Sequence, residues 1–396
     1  MRLGFIVPRY GRDIVGGVET LVRDQAEHLA AAGHHVEVLT TCARSHYTWR
    51  NELPAGTRVI EGVTVHRFTV TRPRDHGLMA NLHARMDAGF DLDAEGQRVW
   101  VENTGYSDDL LGAIAPAADR LDALLFAPYL FASTVFGVAV RPERSIVIPC
   151  LHDEVYARFG VIQDALRAPA GLMFNSPAEM RLAERLLGAS LPEHQVVGCG
   201  FAEPSPAPSG EAWRSRHRGQ GDLIAYAGRR ERAKNFPLLA SWVAAHSVAI
   251  AAARPVRLAT VGSGPAEAPA FARELVLDLG VVSQEEKLEV MAASLAVGQL
   301  SLNESFSYAI AEGWLSGTPA IVHAGCAVTR EHCQRGGGGV WVESAEEFSE
   351  AVSLFQNDAA IRARMAASGR EYILDEYGWP AVLSRLLSAV ERMVRR

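Results

Sequence analysis

The sequence lacks the features that mark several large classes of protein. Its five cysteines include no Cys-x-x-Cys pair, which argues against a structural zinc site and against a secreted disulfide framework. Acidic residues outnumber basic ones, and the formal net charge of −7 argues against a dedicated nucleic-acid-binding protein. Hydrophobic residues make up 48% of the 396 residues, which is too large a share for intrinsic disorder. We therefore expect a globular protein with reduced thiols, as is typical of the cytoplasm.

Long apolar runs are also scarce. The run at residues 3–7 spans five residues and is too short for the hydrophobic core of a signal peptide, so we interpret it as a buried strand. Residues 123–140 form an uncharged stretch of eighteen, at the lower limit of a membrane span. Because Pro128 divides that stretch, we predict a buried strand followed by a packed helix. Peripheral contact with the inner face of a membrane stays open.

The chain alternates between strand-like and helix-like segments, which predicts α/β domains with parallel sheets covered by helices. The segment Glu203–Gly210, EPSPAPSG, interrupts this alternation and predicts a linker between two domains. We therefore predict domains at 1–202 and 211–378, a linker at 203–210 and a final helix at 379–396. Two such sheets predict a ligand site in a cleft between the domains, at the carboxyl ends of strands. Strands are predicted at 3–7, 35–41, 63–70, 123–126, 145–149, 171–175, 195–198, 223–227, 256–261, 296–300, 320–323 and 340–342, and helices at 17–32, 236–251, 284–293, 306–315, 346–355, 359–376 and 380–394.

A glycine-bearing loop follows the first strand. Gly16 and Gly17 allow close approach of a ligand to the backbone, and the helix that starts there offers free N–H groups and a positive dipole end. These features suit a phosphate or sugar oxygen, and a plain strand–helix turn is the alternative. The loop contains neither the Gly-x-Gly-x-x-Gly fingerprint of dinucleotide-binding folds nor a phosphate-binding P-loop.

A charged loop, residues 228–235, follows the first strand of the second domain and leads into a helix. Arg229 and Lys234 at the carboxyl edge of a sheet are able to hold a diphosphate. The alternative is a solvated charged loop without a ligand. At the end of another strand, His152 is predicted to reach the ligand cleft, and a structural loop histidine is the alternative. Asn175–Ser176 is interpreted as the cap of the helix that begins at Pro177.

The most specific feature is a pair of carboxylates, Glu304 and Glu312, where a strand turns into a helix. On a continuous helix they would lie roughly 12 Å apart along its axis. Carboxylates so placed are able to accept hydrogen bonds from vicinal hydroxyls at two ends of one elongated ligand. The alternative is one glutamate favoured by the helix dipole and one surface glutamate.

Together these residues resemble those of retaining glycosyltransferases of the GT-B fold, family 4. The family's Gly-Gly-x-Glu opening, its His-Asp pair, its Gly-Arg…Lys-Gly/Asn loop and its Glu-x7-Glu signature all have counterparts in the right order. The sequence departs from the family at Ser307, because a glycine often follows the phenylalanine there. The matching positions are Gly16, Gly17, Glu19, His152, Asp153, Gly228, Arg229, Lys234, Asn235, Glu304 and Glu312.

The resemblance implies a role for each site residue. Arg229 and Lys234 would hold the diphosphate of a nucleotide-sugar donor and stabilise it as the leaving group. Glu312 would bind the ribose hydroxyls and Glu304 the hydroxyls of the transferred sugar. The remaining implied residues are Gly16 and Gly17 on the diphosphate or acceptor side, His152 near the anomeric carbon, and Gly228, Ser305 and Phe306 in the donor site.

The resemblance also implies the architecture and the partners. Two Rossmann-like domains would face each other across a cleft, with acceptor binding in the first, donor binding in the second, and the last helix packing back on the first. No divalent metal and no cofactor are expected, and no Asp-x-Asp motif occurs. The acceptor would be a carbohydrate, a lipid-linked glycan or a small molecule, selected by the first-domain loops 46–51 and 72–98. A nucleotide-sugar epimerase, a phosphorylase and an inactive sugar-nucleotide-binding protein of the same fold are the alternatives.

Overall fold

The structure, a computed structural model, describes residues 1–14, 16–217, 221–230, 232–249 and 254–394. It consists of two compact units. Unit 1 contains Met1–Gly200 together with Trp379–Arg396, and unit 2 contains Phe201–Gly378. The segment 203–210, which we predicted as a linker, belongs to unit 2. Residues 203–209 have neither helix nor strand, whereas Gly210 is already the first residue of a helix.

In unit 1 the described residues form a sheet of eight strands in the order β3-β4-β2-β1-β5-β6-β7-β8. All neighbouring strands run parallel except β3 and β4, which form an antiparallel hairpin at the edge. The central strands are continuous apolar runs because both of their faces are covered. The strands are β1 Arg2–Ile6, β2 His35–Thr41, β3 Gly56–Ile60, β4 Val63–Phe68, β5 Ala123–Phe126, β6 Ser145–Val147, β7 Gly171–Phe174 and β8 His194–Val196.

Helices connect these strands. Two of them, α2 and α3, occupy most of residues 72–98, so the segment that we predicted to be an acceptor-selecting loop is largely helical. The uncharged stretch 123–140 contains β5 followed by a buried helix of only four residues, α5, and a short 3-10 turn. The helices before the second unit are α1 Gly17–Ala31, α2 His76–Asp87, α3 Ala94–Glu102, α4 Asp108–Arg120, α5 Ala132–Val135, α6 Gly160–Arg167 and α7 Pro177–Leu187.

The described residues of unit 2 form a parallel sheet of six strands in the order β11-β10-β9-β12-β13-β14. The helix predicted at 236–251 is described to Ala249, and its predicted end lies outside the described residues. The strands are β9 Asp222–Ala227, β10 Val256–Val261, β11 Val276–Asp278, β12 Ala296–Gln299, β13 Ala320–His323 and β14 Gly339–Val342. The helices are α8 Gly210–Arg216, α9 Phe236–Ala249, α10 Gln284–Ala292, α11 Tyr308–Leu315, α12 Ala327–Gly336, α13 Ala345–Asn357 and α14 Ala359–Tyr377.

The last helix, α15, spans Trp379–Val394 and belongs to unit 1. Its first residue, Trp379, stacks on His28 of α1 with ring centroids 3.6 Å apart. The buried face of α15, which includes Leu386 and Val390, packs beside β6, β7 and β8. The predicted α/β fold class with two mostly parallel sheets is confirmed.

Candidate functional site

Two glycine-bearing loops lie against each other at the carboxyl ends of β9 and β10. The N–H of Gly228 donates to the carbonyl of Val261 at 2.9 Å, and the N–H of Arg230 donates to the carbonyl of Ser263 at 3.0 Å. A Cβ on Gly262 would collide with the carbonyl oxygen of Gly228. Gly228 and Gly262 also have φ angles of 152° and 137°, which favour glycine. The glycines therefore allow the two loops to touch.

The two arginines after Gly228 have different surroundings. Arg230 is buried, and its guanidinium donates to Thr260 Oγ1 at 3.0 Å, to the carbonyl of Gly264 at 2.8 Å and to Asp278. Arg229 has an exposed side chain, while its carbonyl accepts from the hydroxyl of Tyr226 at 2.5 Å. Arg230 therefore braces the loops, whereas the side chain of Arg229 lies at the surface. Glu231, the next residue of the predicted charged loop, lies outside the described residues.

Lys234 and Glu304 form an ion pair. Lys234 Nζ donates to Glu304 Oε1 at 2.8 Å, and the two side chains are 21% and 11% exposed. Lys234 follows β9 in a short 3-10 turn, and Glu304 follows β12, the strand beside β9. Asn235 holds this turn against the end of β12, because its Nδ2 donates to the carbonyl of Leu300 at 2.9 Å. Its φ of 53° explains why this position suits glycine or asparagine.

The segment between Glu304 and α11 differs from our prediction. The helix begins at Tyr308 and not at Phe306, because Ser307 has φ 88° and ψ 88°, outside the helical region. The estimate of 12 Å between the carboxylates, which assumed one continuous helix, therefore does not apply. A left-handed residue at 307 accounts for the glycine that the family often has there. Ser305 is half-buried.

Phe306, which we predicted to be a donor-binding residue, is buried in an aromatic cluster. Its ring centroid lies 4.6 Å from that of His332, 4.8 Å from that of Tyr377 and 5.6 Å from that of Phe201. The ring therefore belongs to the core, and the side chain of Phe306 is not exposed to a ligand. Burial also lowers the pKa of His332 to about 3, so this histidine is neutral within the cluster.

Glu312 lies on α11 and is held by α10. Its Oε1 accepts from Lys287 Nζ at 2.6 Å and from Gln284 Nε2 at 2.9 Å. The sequence reasoning missed both partners, since neither stands in a recognised motif. Lys234 contacts Glu304, and Lys287 contacts Glu312, so the structure assigns one lysine to each carboxylate of the signature.

In unit 1, Gly16 and Gly17 lie where α1 begins, and Glu19 lies beneath them. Glu19 Oε1 accepts from Arg9 Nη2 at 2.5 Å, and both side chains are buried. A Cβ on Gly16 would collide with Glu19 Oε2, whereas a Cβ on Gly17 would meet nothing within 4 Å. Gly16 therefore makes room for a buried ion pair, and Gly17 leaves the start of the helix uncovered. Arg9 is a third residue that the sequence reasoning missed, after Lys287 and Gln284.

His152 lies in the loop after β6, and the buried carboxyl group of Glu179 braces that loop. Glu179 Oε1 accepts from the N–H of Leu151, and its Oε2 accepts from the N–H of Asn175, both at 2.6 Å. Burial raises the pKa of Glu179 to about 8, although backbone hydrogen bonds oppose that change. Ser176 Oγ accepts from the N–H of Glu179 at 3.2 Å, so Ser176 caps α7 as predicted.

The side chain of His152 is partly exposed, and its Nδ1 lies 3.9 Å from Glu154 Oε1. Among the described residues, no three histidines, cysteines or carboxylates form a group that could hold a metal ion. No helix in the described part of the chain is long and apolar enough to cross a membrane.

Part of the chain matches a known protein family. Residues 211–372 match the model of the family described as glycosyl transferases group 1. The matched part lies within unit 2 and includes Lys234, Lys287, Glu304 and Glu312. No sequence among the curated proteins matches the chain significantly.

Solved structures match the whole length of the chain. Sucrose-phosphate synthase from Thermosynechococcus elongatus matches with a TM-score of 0.71 and 18% identity, over 99% of this chain and 98% of that one. The trehalose-6-phosphate synthase OtsA matches with a TM-score of 0.69 and 11% identity, over 100% of both chains. HepE of Anabaena, in complex with UDP, matches with a TM-score of 0.68 and 15% identity, over 99% of this chain and 100% of that one. Unit 2 thus contains a glycosyl transferases group 1 domain, within a chain that has the fold of GT-B glycosyltransferases.

Proposed function

We propose that the protein is a retaining glycosyltransferase of family 4 that moves a hexose from a nucleotide-diphosphate sugar to a carbohydrate, a lipid-linked glycan or a small molecule, without a metal ion. The observation that carries this proposal is the Lys234–Glu304 pair at the adjoining ends of β9 and β12. The pair lies in the group 1 domain and combines a cation for a diphosphate with a carboxylate for sugar hydroxyls.

In the proposed reaction, the bond between the anomeric carbon and the phosphate oxygen breaks while the bond to the acceptor oxygen forms on the same face. The proton of the acceptor hydroxyl passes to the leaving phosphate. Negative charge grows on the diphosphate as it leaves, and Arg229 and Lys234 stabilise that charge. Glu304, held by Lys234, orients the sugar by accepting from its hydroxyls.

The other predicted residues have supporting roles in this proposal. Glu312 accepts from the hydroxyls of the ribose, and Gly228 and Ser305 lie in the donor site beside Arg229 and Glu304. Unit 1 contributes two of these residues. The main chain of Gly17 lies on the diphosphate or acceptor side, and the ring of His152 lies near the anomeric carbon.

Two neighbours in structure support particular parts of the proposal. HepE of Anabaena has been solved with UDP-glucose, which makes UDP-glucose the first donor to test. A trehalose-6-phosphate synthase with 12% identity and a TM-score of 0.69 was studied for glycosyltransfer with retention, which supports retention here.

The test is donor turnover by a Lys234→Met variant. Donor hydrolysis and transfer should fall by about 10²–10³-fold, because the cation that stabilises the leaving group is lost. Arg232→Met is the matched control, since Arg232 is an exposed cation in the same 3-10 turn and is paired with neither glutamate of the signature. Equal turnover in the wild type and Lys234→Met would contradict the proposal.

The same assay separates the alternatives. Conversion of the sugar nucleotide to its epimer without an acceptor would identify an epimerase. Donor turnover no higher than in Arg229→Ala would identify an inactive sugar-nucleotide-binding protein.

A further inference from the structure

The chain contains only two lysines, and each holds one glutamate of the Glu-x7-Glu signature. Lys234 and Lys287 are two of the 39 basic lysine and arginine residues, and all the others are arginines. Lys234 donates to Glu304 at 2.8 Å, and Lys287 donates to Glu312 at 2.6 Å. Arginine occupies all the remaining positions of this kind, so the presence of lysine at these two calls for a reason specific to lysine.

Lysine and arginine hold a carboxylate differently. The planar guanidinium of arginine takes both carboxylate oxygens, whereas the ammonium of lysine is a compact donor that occupies one. Lys287 Nζ and Gln284 Nε2 both donate to Oε1 of Glu312. Within the described part of the chain, no hydrogen bond reaches Oε2 of Glu312. The arrangement therefore keeps one carboxylate oxygen for a ligand.

The two donors are fixed by the first turn of α10. Gln284 is the first residue of that helix and Lys287 lies three residues later, so their side chains share one face. Ser283 caps the helix, because its Oγ accepts from the N–H of Glu286 at 3.1 Å. The side chains of Lys287 and Glu312 are only 22% and 13% exposed. A largely covered pair with two donors on one oxygen holds the carboxylate in one orientation.

We propose that Lys287 and Gln284 make this site selective for ribose over 2′-deoxyribose in the nucleotide of the donor. The inference rests on the proposed function, because it requires Glu312 to accept from the hydroxyls of that sugar. With Oε1 occupied, Oε2 accepts from one hydroxyl at a fixed position, and the remaining ammonium protons of Lys287 donate to the neighbouring hydroxyl. A nucleotide that lacks the 2′-hydroxyl leaves one of these groups unpaired in a covered site, which weakens binding.

The test compares UDP, GDP and ADP with their 2′-deoxy counterparts by titration calorimetry. The wild type should bind one ribonucleotide about tenfold or more tightly than its 2′-deoxy form, which corresponds to about 1.4 kcal/mol. Lys287→Met should weaken binding of that ribonucleotide about tenfold and leave the 2′-deoxy form nearly unchanged. In the Glu312→Gln background, Lys287→Met should cause no further loss of affinity for the ribonucleotide, since both residues act on the same hydroxyls.

Lys287→Arg separates selectivity from a structural role. The variant keeps the positive charge, so it preserves any stabilisation that depends on charge alone. Its guanidinium is able to take both oxygens of Glu312, and the preference for ribose should therefore fall as in Lys287→Met. Arg216→Met is the matched control, because Arg216 pairs with Glu289 on the same helix and should leave the preference unchanged. Thermal unfolding of each variant verifies that it is folded.

The outcomes separate the two proposals. Binding of a ribonucleotide with the same preference in the wild type, Lys287→Met and Lys287→Arg would overturn this inference and leave the proposed function standing. The same holds if the wild type binds both sugar forms equally. If no nucleoside diphosphate binds the wild type, the proposed function is wrong, and this inference falls with it.

Discussion

The two units hold their important glutamates in opposite ways. In unit 1, Glu179 accepts from backbone N–H groups with both oxygens, and Glu19 is buried with Arg9 beneath Gly16. In unit 2, Glu304 and Glu312 each accept from a single lysine with Oε1.

The difference shows how the hydrogen-bond partners of a glutamate decide whether it has a structural role or is available to a ligand. A carboxyl group whose two oxygens are both occupied within the protein fixes the shape of a loop and offers nothing to a ligand. A carboxylate with a lysine on one oxygen is oriented and still has an acceptor available. Substitutions of Glu19 and Glu179 should therefore act mainly on stability, whereas substitutions of Glu304 and Glu312 should act mainly on ligand binding.

The largest expected effect is the pH dependence due to Glu179. Its pKa in the folded protein is about 8, above the ordinary value of 4.5, so the folded state holds a proton that the unfolded state releases. The free energy of unfolding should therefore fall as pH rises from 4.5 to 8, by up to about 1.4 kcal/mol per pH unit. Glu179→Gln cannot ionise and should lose this component.

The measurement is urea unfolding of the wild type and Glu179→Gln across that pH range. The difference in stability between them should grow steadily with pH in favour of the variant. If the free energies of unfolding of the wild type and Glu179→Gln change in parallel with pH, the pKa of Glu179 is not raised in the folded protein.

The next largest effect distinguishes the buried ion pair Arg9–Glu19 of unit 1 from the more accessible pair Lys234–Glu304 of unit 2. Arg9→Met leaves the carboxylate of Glu19 buried without its cation and should reduce the free energy of unfolding by about 3–5 kcal/mol. Lys234→Met removes a cation from a more accessible pair and should reduce it by about 1 kcal/mol. Chemical denaturation of both variants measures this contrast, and similar losses would show that the two units do not differ in this respect.

The smallest contrast is between the two adjacent glycines of unit 1. Gly16→Ala displaces the carboxylate of Glu19 and should destabilise the protein by about 1–3 kcal/mol. Gly17→Ala adds a methyl group in open space at the start of α1 and should keep or slightly raise stability. If Gly17 meets the ligand through its main chain, Gly17→Ala will lower transfer without lowering the melting temperature. Normal activity in Gly17→Ala would remove Gly17 from the site.

The strands could be predicted from the sequence where burial covers both faces. The predicted bounds of β2, β5, β10 and β13 agree with the structure, because most residues of each strand are buried and are apolar or β-branched. Strands β3 and β11 were missed since both are short edge strands with exposed or half-exposed residues. The polar helix α12 was missed for a similar reason, because its sequence AVTREHCQRG has no long apolar stripe.

The site residues could be chosen from motifs, but their contacts could not. Lys234 and Glu304 are 70 positions apart, and only the order of the strands brings β9 beside β12. The burial of Phe306 depends on rings from distant parts of unit 2 and cannot be read locally. One signal in the sequence does single out Lys287, namely that it is one of two lysines in the chain.

This scarcity of lysine makes the protein unusually simple in its amine chemistry. Reagents that acylate primary amines find two side-chain amines, and both belong to carboxylate pairs of unit 2. An endoprotease that cleaves only after lysine likewise has two sites, one in the turn after β9 and one within α10. Amine labelling or limited digestion of the unmodified protein therefore resolves the two halves of the proposed donor site separately, with no engineered probe.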